Sequence, residues 1–302
     1  SRQGKAYLNE RNDMKVSGNW KDYELLDCSE GERLERWGEI VLIRPDPQVI
    51  WKTAKKHPLW NKAHARYDRS SSGGGGWTVF RKLPETWEIR YGELVFNIKT
   101  MGFKHTGVFP EQAVNWDSTM DMIRSAGRPV SVLNLFAYTG AATAACLKAG
   151  AAVVHVDASK GMVAWAKENA LACGVSGEKV RWIVDDCLKF VGREIRRGSR
   201  YDAVIMDPPS YGRGPGGETW KLEEEIFGLA GLCAGLLSAD PLLFMINSYT
   251  TGLSPSVMEY ILGSCLPPDR GGITESYELG LPVTSTGMAL PCGATSVWRS
   301  KR

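Results

Sequence analysis

Short runs of β-branched and aliphatic residues alternate with helical stretches from about residue 120 onward, and this alternation constrains the fold more than any other feature. Five runs have the length of a buried strand: residues 130–135, 152–157, 180–184, 201–206 and 242–246. Helical composition marks the segments between them: residues 141–149, 160–172, 188–197 and 218–237. Repeated strand–helix units form parallel sheets with helices on both faces, so the sequence predicts a doubly wound α/β fold.

The first 120 residues follow a different, strand-rich pattern. Short hydrophobic runs predict a small antiparallel sheet there, at residues 37–43, 77–80, 87–91 and 93–98. Residues 70–76 are all Ser or Gly, which predicts a flexible loop. We therefore expect two domains. The first is a small β-rich α+β domain over residues 1–120, and the second is an α/β domain over residues 121–302 with two late strands near 273–277 and 295–298.

Composition narrows the classes of protein. Hydrophobic residues make up 43% and charged residues 24%, as in ordinary globular proteins. No segment reaches the roughly 18 apolar residues of a membrane helix, and the N-terminus lacks the apolar core of a signal peptide. The seven cysteines include no CxxC pair and no neighbouring histidine at ligand spacing. We expect a cytoplasmic protein with reduced thiols, no metal and no membrane partner.

Positive charge is modest overall but locally concentrated. The net charge is +3, which permits nucleic-acid binding without requiring it. Basic residues cluster between residues 52 and 69 and again between 193 and 200. Each cluster is either a solvated surface or a set of phosphate contacts, and the sequence leaves both interpretations open.

The first strand of the α/β region ends in a tight turn that precedes a helix. Such a turn points backbone N–H groups at a ligand on the carboxyl edge of the sheet. Only one glycine lies in it, so it is not the GxGxxG turn of dinucleotide-binding proteins. Small residues that pack the helix onto the strand are the alternative explanation. The predicted ligand contacts are Asn134, Phe136, Ala137, Tyr138, Thr139 and Gly140.

Acidic residues end the next two strands. In Asp157-Ala158-Ser159 the carboxylate is placed to accept both hydroxyls of a ribose, although it could also cap the following helix, and the two roles can coexist. In Asp185-Asp186-Cys187 we favour Asp186 for an adenine amino group and the Cys187 N–H for a ring nitrogen; a helix-capping acid pair is the alternative. No diphosphate-binding set accompanies these residues. The pattern therefore favours a nucleoside cofactor without a diphosphate, and S-adenosylmethionine (SAM) is the common one.

The turn after the fourth strand is the sharpest of the four signals. It reads Asp207-Pro208-Pro209-Ser210-Tyr211, and its two prolines make a rigid extended turn. An amine substrate needs acceptors for its N–H groups while its lone pair points at a methyl donor. Asp207 and the Pro208 carbonyl would supply them, with Ser210 or Tyr211 against a base. A purely structural turn is the alternative.

Taken together, this series resembles the class I SAM-dependent methyltransferases. With residues 106–112 and 166–169 added, it is similar to the bacterial large-subunit ribosomal RNA methyltransferase family that includes the cytosine-C5 enzymes. The resemblance covers about residues 90–300. It implies a Rossmann-like sheet, SAM as cofactor, ribosomal RNA as partner and an N-terminal α+β domain that helps to bind RNA. It also places Phe109, Gln112 and Asn169 beside the cofactor.

The sequence departs from that family in two respects. Its members often carry an N-terminal PUA domain, which we do not expect within these residues. The cytosine-C5 members attack the base with a Cys thiolate, but Tyr249 stands where that Cys would be. Cys292 is another candidate, and the sequence does not fix its position. Nitrogen and carbon therefore both stay open as the methylated atom.

Other functions remain possible on the sequence alone. The chain could methylate a protein or a small molecule, or it could be a non-catalytic RNA-binding protein that keeps the fold. The single-glycine turn and the Asp-Pro-Pro segment speak against a nicotinamide dehydrogenase. Residues 212–217 are predicted to form a mobile lid over the site. The oligomeric state stays open.

Overall fold

A computed structural model describes residues 14–70, 74–175, 177–213, 219–266 and 270–301. The strands of the first hundred residues are β1 (Lys15–Val16), β2 (Tyr23–Ser29), β3 (Glu32–Trp37), β4 (Ile40–Pro45), β5 (Ala65–Arg69), β6 (Gly75–Val79), β7 (Trp87–Tyr91) and β8 (Leu94–Ile98). The later strands are β9 (Ser131–Leu135), β10 (Ala152–Asp157), β11 (Val180–Val184), β12 (Ala203–Met206), β13 (Tyr211–Arg213), β14 (Thr219–Lys221), β15 (Leu243–Ser248), β16 (Gly272–Pro282) and β17 (Ala289–Ser300). The helices are α1 (Ala113–Ser125), α2 (Ala141–Lys148), α3 (Lys160–Ala172), α4 (Cys187–Arg197), α5 (Leu222–Ala234) and α6 (Pro255–Cys265).

The main sheet has eight strands in the order β1-β16-β17-β15-β12-β9-β10-β11. Strands β15, β12, β9, β10 and β11 are parallel to their neighbours in that series, whereas β17 runs antiparallel to both β15 and β16. The chain crosses from β9 through β10 to β11 and then returns to β12 on the other side of β9. This is the topological switch point at which ligands bind in open α/β sheets. The predicted Rossmann-like doubly wound fold is confirmed.

Side chains of the parallel strands alternate between the two faces of the sheet. Leu133, Val204 and Phe244 pack with helices α4, α5 and α6, while their neighbours Val132, Ala203 and Leu243 pack on the opposite face. Because both faces of the central strands are covered, these strands are mostly aliphatic rather than alternately polar, with Asn134 and His155 as buried exceptions. This burial explains why the strands were visible in the sequence.

The N-terminal region is built on a second sheet of five strands in the order β2-β3-β4-β5-β6, beside the β7–β8 hairpin. Its core includes Trp37 and Leu42 and continues without a break into Trp116 of α1 and Ala144 of α2. Strand β1 pairs with β16 of the main sheet. Residue 120 lies inside α1, so the division of the chain at that residue stays a prediction.

Four local predictions need correction or fall outside the described residues. The run 37–43 is not one strand, because Gly38 at φ +63° makes a turn between β3 and β4. The long helix of 218–237 begins only at Leu222, since residues 219–221 pair with 211–213. Gly75 and Gly76, predicted as loop, pair with β5. Residues 214–217 of the predicted lid are not described. Strands β1, β2, β5, β13 and β14 and helices α1 and α6 were not predicted.

None of the helices in the described part of the chain combines the length and the apolarity that crossing a bilayer requires. The described residues also contain no group of three or more His, Cys, Asp or Glu side chains that could hold a metal ion. All seven cysteines are free thiols, and six of them are buried.

A buried ion pair fixes the N-terminal sheet. Glu35 on β3 is fully buried and accepts hydrogen bonds from Arg44 on β4, at 2.6 Å to Nε and 2.7 Å to Nη2, and from the Tyr23 hydroxyl at 2.8 Å. Burial favours the neutral acid, but the charge and hydrogen bonds of Arg44 keep the pKa of Glu35 below its usual value. The buried side chains of Tyr23 on β2 and Arg44 on β4 thus both depend on the Glu35 carboxylate for their hydrogen bonds.

We expect Glu35→Gln to lower the free energy of unfolding by about 3 kcal/mol, because it leaves a buried guanidinium without its counter-charge. Urea unfolding followed by circular dichroism measures the change. Glu88→Gln is the matched control, since the Glu88–Arg90 pair is exposed and its loss should cost less than about 0.5 kcal/mol. Equal effects of the two substitutions would contradict this account of the sheet.

Candidate active site

A cleft of about 860 Å³ lies at the carboxyl edge of the parallel strands. One wall consists of the turns that follow β9, β10, β11 and β12. The other wall comes from the N-terminal sheet, through Arg33 on β3 and the segment 44–48 that ends β4, together with residues 104–105 and 109–111. Both predicted regions of the chain therefore build one site.

The turn after β9 has an unusual backbone. Phe136 and Tyr138 adopt positive φ angles of 53° and 50°, which are uncommon for residues other than glycine. Gly140 follows at φ +80°, and a Cβ there would lie 2.7 Å from the Cβ of Ala166. Only glycine fits this position, so the helix α2 can start close to α3. The turn projects Phe136 and Tyr138 into the cleft.

Asp157 links the turns after β9 and β10. Its Oδ2 accepts a hydrogen bond from the Tyr138 N–H at 2.9 Å, and its Oδ1 accepts one from the Ser159 N–H at 2.8 Å. Burial raises the pKa of Asp157, and these two backbone N–H groups oppose the increase. The carboxylate is thus held in one orientation and still lines the cleft. The helix α3 is capped by the Ser159 hydroxyl rather than by Asp157.

The acidic pair after β11 has divided roles. Asp186 caps helix α4 by accepting from the Lys189 N–H at 2.8 Å, and Asp185 forms an ion pair with Arg193. Both aspartates line the cleft. The Cys187 thiol is buried and accepts a hydrogen bond from the Phe136 N–H at 3.2 Å, which ties this turn to the one after β9. Burial raises the pKa of that thiol.

The predicted cofactor residues other than Asp207, which also lines the cleft, divide into eight that line it and seven that do not. The cleft is lined by Phe109, Phe136, Tyr138, Asp157, Ala158, Ser159, Asp185 and Asp186. The remaining predicted contacts lie behind this lining: Gln112, Asn134, Ala137, Thr139, Gly140, Asn169 and Cys187.

The residues behind the lining support it through hydrogen bonds. Asn169 on α3 donates to the Thr139 carbonyl at 2.8 Å, and Thr139 donates to the Gly107 carbonyl. Asn134 donates to the Thr143 hydroxyl at 2.9 Å. These contacts are all buried, and they hold the turn after β9 in its strained form. Their predicted contact with a ligand stays a prediction.

The Asp-Pro-Pro turn lies at the centre of the cleft. The Asp207 carboxylate has no side-chain hydrogen bond to any described residue, and burial, with a smaller contribution from the nearby Glu111 charge, raises its pKa to about 7. The Pro209 carbonyl accepts from Trp220 Nε1 at 2.6 Å, and Ser210 accepts from the Thr250 hydroxyl at 2.6 Å. No described residue donates a hydrogen bond to the Pro208 carbonyl, which leaves this acceptor for a ligand.

Tyr211 is placed differently from its predicted role. Strand β13 pairs with β14 directly after the turn, and this hairpin carries the Tyr211 side chain outward, where it is 53% exposed. It is not among the residues that line the cleft. The aromatic rings on the lining are Phe109, Phe136, Tyr138, Trp220 and Tyr249. Stacking of a base on Tyr211 stays a prediction.

Several residues of the site were not predicted from the sequence. Arg33, Arg44 and Lys104 bring positive charge to the wall opposite Asp157, and burial together with Arg44 lowers the pKa of Lys104 to about 8. Glu111 also lines the cleft, and so does Cys292, a candidate nucleophile whose position the sequence left open. Glu111 lies in the 106–112 motif that carried the family resemblance, so a signal was present for it. The arginines come from a sheet whose position against the main sheet no local pattern reveals.

Comparisons with known proteins agree with this geometry. A family model described as S-adenosylmethionine-dependent methyltransferase matches residues 49–252. The crystal structure of a SAM-dependent methyltransferase from Agrobacterium tumefaciens is similar over 97% of this chain and 94% of that chain, with a TM-score of 0.90 and 34% sequence identity.

Two curated relatives have ribosomal RNA in their names. The ribosomal RNA large subunit methyltransferase K/L of Syntrophotalea carbinolica is 30% identical over 183 residues, which are 60% of this chain and 25% of the relative. The protein of the same name from Shewanella frigidimarina is 30% identical over 155 residues, 51% of this chain and 21% of the relative. The chain thus spans about a quarter of the length of these relatives.

The raised pKa of Asp207 predicts a pH-dependent effect on stability. The folded chain binds this proton more tightly than the unfolded chain, so between the ordinary pKa of 3.8 and about 7 the stability falls as pH rises. Asp207→Asn removes the penalty and should raise the melting temperature by about 2–4 °C at pH 8, with a smaller gain at pH 5.

Asp202→Asn is the opposite-sign control for that experiment. Asp202 is partly buried, but hydrogen bonds from Ser131 and Ser238 lower its pKa, so its carboxylate stabilises the fold above its ordinary pKa. Its replacement should lower the melting temperature at pH 8. A decrease for Asp207→Asn at pH 8 would show that the Asp207 charge is stabilised by the cleft rather than penalised.

Proposed function

The chain belongs to the family of S-adenosylmethionine-dependent methyltransferases, and from this we propose that it methylates an exocyclic amine on a base of ribosomal RNA. SAM is the methyl donor of this family. The observation that carries the proposal is that one cleft joins the Asp157 turn to the Asp207 carboxylate, which no described residue pairs with. The substrate class is supported by the names of the two curated relatives.

We propose that the nucleoside end of SAM lies over the turns after β9, β10 and β11. Asp157 is fixed by two backbone N–H groups and retains acceptor capacity for the ribose hydroxyls. Asp186 uses one oxygen in capping α4, which leaves the other for the adenine amino group. The Cys187 N–H belongs to the first residue of α4 and suits a ring nitrogen. This geometry fits the cofactor without a diphosphate.

The acceptor amine is proposed to lie at the Asp-Pro-Pro turn. SAM carries its methyl group on a sulfonium, and this methyl group would be transferred by direct displacement. Asp207 and the Pro208 carbonyl accept the two N–H groups of the amine, so that its lone pair is directed toward the methyl group. Trp220 and Thr250 hold the rest of the turn through Pro209 and Ser210. With a pKa of about 7, Asp207 can also take the proton that the amine releases.

Carbon methylation is the second candidate, and the position of Cys292 favours it. This thiol lies in the cleft, where a nucleophile would be required. It is only 2% exposed, and burial raises its pKa well above the usual range although Arg33 opposes the shift. A thiolate is the reactive form, and this environment disfavours it. We therefore favour the amine.

The RNA is proposed to approach over the segment that follows the cleft wall. Pro47 and Gln48 line the cleft, and the chain continues into Ile50, which is 84% exposed, and Trp51. Lys52, Lys56 and Lys62 are exposed on the same segment. Lys55 and Arg66 of the predicted basic cluster are instead paired with Glu32. The exposed lysines suit phosphate contacts. A cytoplasmic location is part of this proposal and agrees with the seven free thiols.

The cofactor site is tested by titration calorimetry with SAM. Asp157→Ala should weaken binding about 10- to 100-fold, the value of hydrogen bonds to a charged group. Asp121→Ala is the matched control, because Asp121 is exposed on α1 and lies outside the cleft. Unchanged affinity in a folded Asp157→Ala variant would remove Asp157 from the proposed site.

The reaction is tested with methyl-labelled SAM and protein-free large-subunit ribosomal RNA, followed by digestion to nucleosides. We expect label on an exocyclic nitrogen, a loss on the order of 10²-fold for Asp207→Asn, and a rate within about threefold of wild type for Cys292→Ser. Label on a ring carbon together with an inactive Cys292→Ser variant would establish the carbon mechanism instead. Absence of label in this RNA would refute ribosomal RNA as the substrate class.

A further inference from the structure

The cleft continues past Asp207 into a part that the proposed cofactor contacts do not use. Tyr249 follows β15 and Cys292 lies near the start of β17, and the pairing of Ser248 with Ala294 sets these two residues at the same edge. Arg33 and Glu111 complete this part. The proposed cofactor residues follow β9, β10 and β11, so the two groups occupy opposite halves of the edge, with Asp207 between them.

Glu111 carries an unsatisfied buried group that points to a ligand. Its side chain lines the cleft, the residue is 2% exposed, and Oε2 has no hydrogen-bond partner within the described residues. Burial raises the pKa of Glu111, and the charges of Arg33 and Arg44, together with hydrogen bonds from its own backbone N–H and from the Tyr249 hydroxyl, only partly offset the increase. A buried carboxylate oxygen without a donor is costly, and an N–H group of a ligand would satisfy it.

Arg33 has donors to spare on the other side of the same space. Its Nε donates to Asp46, which fixes the side chain. Within the described residues, its terminal nitrogens make only long contacts, at 4.0 Å from Nη1 to Glu35 Oε1 and at 3.9 Å from Nη2 to Cys292 Sγ. The guanidinium therefore presents a planar pair of N–H groups to an acceptor in the cleft.

Aromatic rings give this space a flat and rigid wall. The rings of Phe109 and Tyr249 lie 5.4 Å apart with an interplanar angle of 33°. Gln112 donates to the Tyr249 hydroxyl at 2.9 Å, and Gly293 lies so close that a Cβ there would be 2.9 Å from the tyrosine ring. Tyr249 is thus held in place from two sides. Such a wall suits a planar heterocycle.

We propose that Glu111 and Arg33 read the polar edge of the acceptor base, with Glu111 sharing one N–H group of the amine with the Pro208 carbonyl and Arg33 donating to a neighbouring oxygen or ring nitrogen. This inference rests on the proposed function, and it adds the residues that select the base. A base with a carbonyl in place of the amine would direct that oxygen at both Glu111 and Asp207. The pocket therefore selects amine-bearing bases and rejects uracil.

The test uses Glu111→Gln in the full chain, because this change keeps the shape and removes the charge. Because the change removes a buried charge that desolvation penalises, we expect an unchanged or higher melting temperature and a SAM affinity within twofold of wild type. The kcat/KM for methylation of ribosomal RNA should fall at least tenfold. Glu39→Gln, on an exposed residue, is the matched control and should change none of these values.

The same variants distinguish two possible ligands of Glu111 and Arg33. One is the acceptor base, and the other is the amino-acid end of SAM, whose ammonium could donate to Glu111 while its carboxylate accepts from Arg33. A tenfold loss of SAM affinity in Glu111→Gln, with kcat unchanged at saturation, would assign the residue to the cofactor and overturn the inference. Arg33→Lys gives a second measurement: this substitution should lower kcat/KM while SAM affinity is kept. Arg36→Lys, on the outer side of β3, is its control.

A binding experiment separates this inference from the proposed function. Saturation-transfer NMR with the chain saturated in S-adenosylhomocysteine compares cytidine, adenosine and guanosine with uridine. We expect signals for the amine-bearing nucleosides, loss of them in Glu111→Gln, and none for uridine. If the nucleosides bind in this pattern but ribosomal RNA is not methylated, ribosomal RNA is refuted as the substrate and the inference about Glu111 and Arg33 still holds. RNA methylation with full activity in Glu111→Gln, or equal binding of uridine, would refute the inference alone.

Discussion

The parallel register of β9 with β10 and β12 is the constraint on which the site depends. Leu135 is paired with Val156 on one side and with Met206 on the other, so the three strands end at the same level. The residues that follow must therefore emerge side by side at one edge. The Tyr138 N–H then closes on the Asp157 carboxylate, which converts neighbouring strand ends into a single fixed surface. Displacement of one strand by a residue would separate these groups.

The opposite wall depends on buried charge rather than on strand ends. Glu35 holds Arg44, and Asp46 holds Arg33, so two arginines are fixed beside the cleft by carboxylates of their own sheet. Paired in this way, the guanidiniums tolerate burial and still present N–H groups to a ligand. The two walls have opposite character. One is a row of acidic turns, and the other is a cationic face, which suits a substrate that combines amine, carbonyl and phosphate groups.

Sequence reasoning was most successful where one local pattern determined one local structure. The strands around Leu133 and Val204 are buried on both faces and were recognisable as aliphatic runs. The turn at Gly140 and the Asp-Pro-Pro segment were predicted because strand–turn–helix order places them at the carboxyl edge. The extent of the hairpin β16–β17 was not predicted, since its residues are mixed in polarity and are stabilised by pairing with distant strands.

The sequence by itself determined the α/β class, the SAM family and the position of Asp157 and Asp207 at strand ends, because these follow from short-range order along the chain. Only the tertiary structure decided that Tyr211 points outward and that Arg33, Glu111 and Cys292 meet at the cleft. Arg33 and Cys292 are 259 positions apart, and the packing of two separate sheets brings them together. No periodicity or motif encodes such a meeting, since it depends on how both sheets bury their shared core.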